Sequence, residues 1–213
     1  MSKKLKDPAS GLSHLVGALL SIAALVVLVR AGVANNDVWK IVSFSVFGSS
    51  LVLLYSASAT YHLLNVSRRA QVVLRKLDHI MIFVLIAGTY TPVCLLTLRG
   101  MVGYVLLAVV WTLALAGLFF KIFYLNAPRW AYTAIYLLMG WLVVAFVVPL
   151  VRALSPRTML WLFVGGLFYS VGAVIYGLKR PNLVPGWLGF HEVFHVLILL
   201  GSASHFYFVY LLA

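Results

Sequence analysis

Seven long apolar segments, separated by short polar breaks, limit what this chain can fold into. A helix that crosses a bilayer needs about 20 mainly apolar residues, and seven stretches reach that length. Only 9% of the 213 residues are charged, whereas a soluble domain carries about 25% charged residues. Lipid therefore solvates most of the surface, and we predict an all-α polytopic membrane protein, a single seven-helix bundle over residues 1–213. The predicted spans are residues 12–31, 41–64, 77–98, 101–121, 131–151, 159–178 and 190–212.

The charge distribution predicts how these helices are oriented. The chain has 16 lysines and arginines against four acidic residues, a formal net charge of +12. In a membrane protein this excess lies in loops near anionic head groups, so it does not indicate a nucleic-acid partner. Most of the basic residues fall in segments on the same side as the N-terminus. The positive-inside rule therefore predicts a cytoplasmic N-terminus and an external C-terminus, in the inner (plasma) membrane.

Polar side chains cluster at the ends of three spans, where ionisable groups are costly and usually persist for a functional reason. Ser58 and His62 end the second span, and Asp78 begins the third. His191 and His195 begin the seventh span and, being four residues apart, project from one helix face. In the predicted topology all three ends lie in the inner leaflet. This coincidence of depth predicts one intramembrane metal site.

The residue types at this site predict zinc chemistry. His62, His191 and His195 would supply three of the four ligands that zinc prefers, which leaves the fourth position for water. Zinc lowers the pKa of bound water to about 7, and Asp78 would orient that water or act as a general base. Ser58, about 6 Å from His62 along one helix face, would hydrogen-bond a substrate carbonyl or its oxyanion. The predicted activity is zinc-dependent hydrolysis of an amide or ester bond in a membrane lipid.

The other three histidines are expected to have structural roles. We predict that His14, His79 and His205 form hydrogen bonds between helices, with His14 close enough to the metal site to support a ligand. His79 follows Asp78 and should point about 100° away from it. His205 lies about 15 Å beyond the ligand pair on its helix, too far to bind the same ion.

Two alternatives remain open. Residues 191–195 read His-Glu-Val-Phe-His, which matches the HExxH signature of zinc metalloproteases, with Glu192 as general base. An intramembrane protease would leave Ser58 and Asp78 without a role, and the helix dipole alone favours an acid at Glu192. The other alternative is a non-enzymatic receptor, channel or pore-forming cytolysin in which the metal only cross-links helices.

Short motifs along nearly the whole chain point to one family. They are Ser13-His14-Leu15-Val16-Gly17, Ser58-Ala59-Thr60-Tyr61-His62, Leu77-Asp78-His79, Ala87-Gly88-Thr89-Tyr90-Thr91-Pro92, Tyr136-Leu137-Leu138-Met139-Gly140-Trp141, Gly165-Gly166-Leu167-Phe168-Tyr169-Ser170-Val171-Gly172, His191-x-x-x-His195 and Gly201-Ser202-Ala203-Ser204-His205-Phe206. In these residues the chain resembles the hemolysin III family, the bacterial branch of the progestin and adipoQ receptor family that includes the adiponectin receptors.

The resemblance implies a set of site residues and a class of activity. It implies zinc held by the histidines that match His62, His191 and His195, an aspartate matching Asp78 beside the water on zinc, and the Ser58 position nearby. It also implies kinship with membrane hydrolases that include alkaline ceramidases, so ceramide-like or other acyl lipids become the expected substrates and membrane-lipid homeostasis the expected role. The name of the bacterial branch implies cytolysis, which these residues do not explain.

Overall fold

The computed structural model describes residues 5–124, 128–184 and 189–213, and the described chain is a bundle of helices. Seven of these helices are long and apolar enough to cross a membrane, which confirms the predicted spans. They are α1 (Pro8–Ala34), α2 (Val38–Leu63), α3 (Arg68–Thr97), α4 (Met101–Phe123), α5 (Arg129–Ala153), α6 (Pro156–Leu178) and α7 (Phe190–Tyr210).

Short polar residues in the breaks set where several helices begin. The Asp37 carboxylate accepts the backbone N–H groups of Trp39 and Lys40 at the start of α2. The Ser67 and Ser155 hydroxyls accept in the same way at the starts of α3 and α6. Such N-caps satisfy donors that a first helical turn leaves free. The short connections then make α1–α2, α2–α3 and α3–α4 antiparallel neighbours.

The start of α3 differs from the sequence prediction. The apolar stretch predicted a span from residue 77, but the helix begins at Arg68 after its Ser67 cap. The added turns are rich in polar side chains, so hydropathy did not include them. Asp78 therefore lies about 15 Å inside the helix by the rise of 1.5 Å per residue, and not at its start as predicted.

Two spans contain irregular turns, and the one in α5 is stabilised by a side chain of α3. After Pro92, α3 continues as a π-helical segment, Val93–Thr97, and α5 contains a 3₁₀ segment, Leu142–Phe146. The Tyr90 hydroxyl accepts the Val143 N–H at 2.7 Å and donates to the Gly140 carbonyl at 2.8 Å. In a membrane, backbone groups released by an irregular turn need such internal partners. Tyr90 therefore supports the break in α5.

Close helix packing brings the amino-terminal helix against the site-bearing helices. A Cβ at Gly17 of α1 would lie 2.9 Å from a Tyr55 ring carbon on α2 and 2.7 Å from a Leu199 methyl group on α7. Small residues at such interfaces let membrane helices approach closely. The absence of a side chain at Gly17 thus allows α1 to pack into the groove between α2 and α7.

Candidate metal centre

The three predicted metal ligands meet at the end of the bundle where α1 begins, here called the amino-terminal end. His62 lies in the last turn of α2, while His191 and His195 occupy the first two turns of α7. The Nε2 atoms of His62 and His191 are 3.4 Å apart, and one ligand nitrogen from each of the three rings lies within 4.8 Å of the others. His62 and His195 are 4% and 2% exposed. Residues 129 positions apart in sequence therefore form one compact cluster, in which His62 and His195 are buried.

Two hydrogen-bond acceptors at the start of α1 determine which nitrogen of the His62 and His195 rings carries the hydrogen. His62 Nδ1 lies 3.0 Å from Asp7 Oδ2, and His195 Nδ1 lies 3.3 Å from the Ser10 carbonyl oxygen. A carboxylate and a carbonyl only accept hydrogen bonds, so each Nδ1 carries the hydrogen. The Nε2 lone pair of each ring is then free to bind a metal. Partners of this kind commonly orient metal-ligating histidines.

The spacing of two of the ligand nitrogens fits a tetrahedral ion. Zinc–imidazole bonds of 2.0–2.1 Å with tetrahedral angles place two ligand nitrogens about 3.3 Å apart. The 3.4 Å between the His62 and His191 nitrogens matches this value. Neutral imidazoles suit zinc and other late first-row metals. The donor type and the His62–His191 spacing thus fit a transition-metal site, with His62, His191 and His195 as the side chains that could hold the ion.

Asp7 is a site residue that the sequence reasoning missed. Its carboxylate contacts His62, and its backbone N–H donates to the His62 carbonyl at 2.9 Å. The hydrogen bond from His62 holds the pKa of the Asp7 carboxyl below its usual value. The Asp7-Pro8 pair is a typical helix start, yet the carboxylate makes no cap for α1. No sequence pattern indicates its partner 55 residues away.

Asp78 and Ser58 lie on the wall of the cavity that the three histidines also line. The Asp78 side chain is 15% exposed, and Ser58 lies close enough to interact with its carboxylate. His79 Nδ1 lies 3.4 Å from the Asp78 carboxylate and 2.8 Å from the Arg75 carbonyl. The prediction that His79 points away from Asp78 was therefore wrong, because a ring can turn toward its neighbour although the two Cβ directions diverge. The hydrogen bond of this ring is also made within α3, not between helices.

Glu192 has structural partners at the start of α7. Its Oε2 accepts the Gly189 N–H at 2.8 Å, and its Oε1 accepts the Ser10 hydroxyl at 3.1 Å. The first contact is half of a capping box, and the second ties α7 to α1. Both carboxylate oxygens are engaged, and Glu192 is not among the described residues that line the cavity. This arrangement disfavours the general-base role that the protease alternative assigns to it.

His14 and His205 have different surroundings. His14 stacks on His195 with ring centroids 3.8 Å apart, and both His14 nitrogens lack a hydrogen-bond partner among the described residues. The predicted interhelical hydrogen bond is thus wrong for His14, whose ring is held by stacking. The Nε2 atom of His205 lies 3.1 Å from the Leu162 carbonyl oxygen of α6. The interhelical hydrogen bond predicted for His205 is confirmed.

A cavity of about 650 Å³ extends from the histidine cluster into the bundle. Its polar end contains the cluster, Ser58 and Asp78, and it continues along α7 as far as His205. Most of its wall is apolar and comes from α3, α5, α6 and α7, with residues such as Ile82, Ile86, Val143, Leu162, Phe194 and Ile198. The polar groups are therefore placed at one end of a long apolar space.

Comparison with known proteins agrees with the family resemblance of the motifs. Residues 2–206 match the family described as Haemolysin-III related. A hemolysin-3 homolog of Bacillus subtilis (strain 168) is 42% identical over 204 residues, 96% of this chain and 92% of that protein. Hemolysin-3 of Bacillus cereus is 39% identical over 204 residues, 96% and 90% of the two chains.

A more distant similarity extends to animals. The monocyte to macrophage differentiation factor of Homo sapiens is 22% identical over 180 residues, which cover 83% of this chain and 72% of that protein. The family match covers nearly the whole chain, and the seven apolar helices lie within or overlap the matched region. The chain is therefore a multi-pass membrane protein that belongs to the Haemolysin-III related family.

Proposed function

We propose that this protein is a zinc-dependent hydrolase that cleaves an amide or ester bond of a membrane lipid, from the cytoplasmic leaflet of the plasma membrane. The observation that carries the proposal is the position of the histidine cluster at the polar end of a deep apolar cavity. A site that only cross-links helices needs no such cavity. A role in membrane-lipid homeostasis follows from the proposed substrate.

Each residue of the cluster has a distinct task in this proposal. His62, His191 and His195 would hold zinc, which supplies Lewis acidity toward a carbonyl oxygen and a water molecule. Asp7 and the Ser10 carbonyl keep the His62 and His195 rings in the orientation that presents Nε2. Such outer contacts keep a ligand set ready before the ion binds.

Asp78 is the proposed proton carrier. Hydrolysis removes one proton from water as its oxygen bonds to the carbonyl carbon, and the leaving nitrogen or oxygen then needs a proton. Among the described residues that line the cavity, Asp78 is the one carboxylate, so it would accept the first proton and return it to the leaving group. Ser58, which lies close to Asp78, would donate a hydrogen bond that orients that carboxylate.

The acyl chain would occupy the apolar part of the cavity. Beyond the polar end, the described wall is mainly aliphatic and aromatic, with a few hydroxyl side chains and with His205 at its far side. Burial of apolar surface contributes about 25 cal/mol per Å², so a long chain would anchor the substrate with its carbonyl toward the histidines.

The test compares metal content and lipid hydrolysis in the same preparations. Purified protein in detergent is incubated with ceramide-like amides and with acyl esters, and released fatty acid is measured. Asp78→Asn should retain metal and helical content yet lose at least 100-fold in rate, since general-base catalysis contributes about 10²–10⁴-fold. Unchanged hydrolysis by Asp78→Asn, with metal bound, would contradict the proposed mechanism.

A non-enzymatic cytolysin is the second candidate, and the name of the Bacillus cereus relative, Hemolysin-3, favours it. In that case the metal would only tie α2 to α7 and contribute to stability. A pore predicts dye leakage from liposomes containing the protein, and this leakage would survive Asp78→Asn. Hydrolysis without leakage supports the enzyme, and leakage without hydrolysis supports the pore.

A further inference from the structure

Three cationic side chains line the polar end of the cavity. Arg75 comes from α3, Lys121 from the last turn of α4 and Arg129 from the start of α5. Lys121 is only 1% exposed, so it does not face lipid head groups outside the bundle as ordinary basic anchors do. A buried ammonium is costly unless an opposite charge compensates it.

Aromatic rings hold two of these cations in place without neutralising them. The Lys121 ammonium lies 3.5 Å from the centroid of the Tyr132 ring. The Arg129 guanidinium lies 4.5 Å from the Tyr176 ring centroid, and it donates a long hydrogen bond of 3.5 Å to the Tyr176 carbonyl. Cation–π contacts of this kind position a cation and leave its charge available.

The acidic residues of the chain do not pair with these cations. The chain has four acidic residues, and the ion pairs within the described ranges both join an aspartate to a histidine. The other two acids cap helices through backbone N–H groups, at the starts of α2 and α7. In the part of the chain that the structure describes, Arg75, Lys121 and Arg129 therefore have no carboxylate within 4 Å.

We propose that Arg75, Lys121 and Arg129 form an oxyanion-binding subsite for a phosphate in the head group of the lipid. The inference rests on the proposed function, because it assigns a second part of the same substrate. Arg75 lies one helical turn before Asp78, so a head group held by the cations would sit beside the bond to be cleaved. The three cations outnumber the one cavity-lining carboxylate, so the cavity favours an acidic lipid over a neutral one.

The subsite is tested by binding, without hydrolysis. Purified protein in dodecyl maltoside is titrated with dodecyl phosphate, dodecylphosphocholine, laurate and inorganic phosphate, and the fluorescence of tryptophan is followed, since Trp141 lines the cavity. Dodecyl phosphate should bind at least tenfold more tightly than dodecylphosphocholine. Inorganic phosphate, which lacks the apolar chain, should bind far more weakly. The preference should persist after chelation of metal, because the cations and not the ion recognise the head group.

Matched variants assign the effect to the cavity. Lys121→Met has nearly the same volume and should weaken dodecyl phosphate binding about tenfold or more, the loss expected for one charge-assisted hydrogen bond. Binding of dodecylphosphocholine should change less than twofold. Lys76→Met is the control, because the Lys76 ammonium donates to the Ile122 carbonyl and does not line the cavity. Arg129→Gln, with Arg69→Gln as its control, repeats the test independently of Lys121.

Three results would overturn the subsite. The first is equal affinity for dodecyl phosphate and dodecylphosphocholine, and the second is a preference that disappears when the metal is removed. The third is unchanged binding of dodecyl phosphate in both Lys121→Met and Arg129→Gln. Binding of laurate alone would assign the cations to the released acid and so contradict the head-group assignment. Loss of the preference in a protein that still hydrolyses lipids refutes only this inference. A preserved preference in a protein without hydrolase activity refutes only the proposed function.

Discussion

Asp7→Asn should weaken metal binding without disturbing the helices. The substitution keeps the size of the side chain but removes the charge that accepts the hydrogen of His62 Nδ1 at 3.0 Å. Asn can also present its amide N–H₂ to His62, which would favour the tautomer with the lone pair on the wrong nitrogen. The backbone hydrogen bond between Asp7 N–H and the His62 carbonyl remains.

The expected loss follows from the nature of this contact. Outer partners of ligating histidines change metal affinity by about 10–100-fold, which corresponds to about 1.4–2.7 kcal/mol. A half-buried charged hydrogen bond contributes a similar amount, about 1.5–3 kcal/mol. Because the Asp7 side chain makes no cap for α1, helix stability should not contribute to the loss.

The assay is competition for zinc against a chromophoric chelator, with helical content followed by circular dichroism. Asp37→Asn is the matched control, because Asp37 precedes α2 in the same way but caps its backbone N–H groups. Zinc affinity within twofold of the original for Asp7→Asn would refute the orienting role. An equal loss in Asp37→Asn would refute it as well, since the effect would then be general.

Three further substitutions test the packing and the roles of individual side chains. Gly17→Ala should destabilise the bundle by about 1–3 kcal/mol, because the added Cβ would clash with Tyr55 and Leu199. Thermal unfolding in detergent measures this loss. Gly140→Ala is the control and should not show it, because a Cβ at Gly140 would meet open space. His14→Phe should keep metal affinity and raise the unfolding temperature, because it removes two buried nitrogens that have no hydrogen-bond partner among the described residues. Loss of metal in this variant would contradict a role of His14 in stacking alone. Glu192→Gln should retain lipid hydrolysis, whereas an abolished rate with metal still bound would favour the protease alternative.

The fold was predictable because a bilayer imposes one length on each apolar segment. All seven spans were found from that length alone. The early start of α3 was not predicted, because the turns from Arg68 to Lys76 are too polar to be included in an apolar segment. The cap from Ser67 begins this part of the helix, and the Gln71 amide ties it to the end of α2 by donating to the Leu64 carbonyl.

The candidate site was predictable where residues share a helix face or a membrane depth. His191 and His195 follow from their spacing, and His62 follows from the alternation of helix directions. Asp7 and the Ser10 carbonyl were missed because their contacts depend on how α1 packs between α2 and α7. The three cations of the cavity were also missed, since basic residues near span ends ordinarily face head groups and sequence alone does not indicate that Lys121 is buried.

Metal analysis of the purified protein tests the central claim most directly. The account predicts about one zinc ion per chain, and almost none in the double variant His191→Ala, His195→Ala with helical content preserved. The same metal content in both proteins would contradict a site built from these histidines, and with it the proposed chemistry.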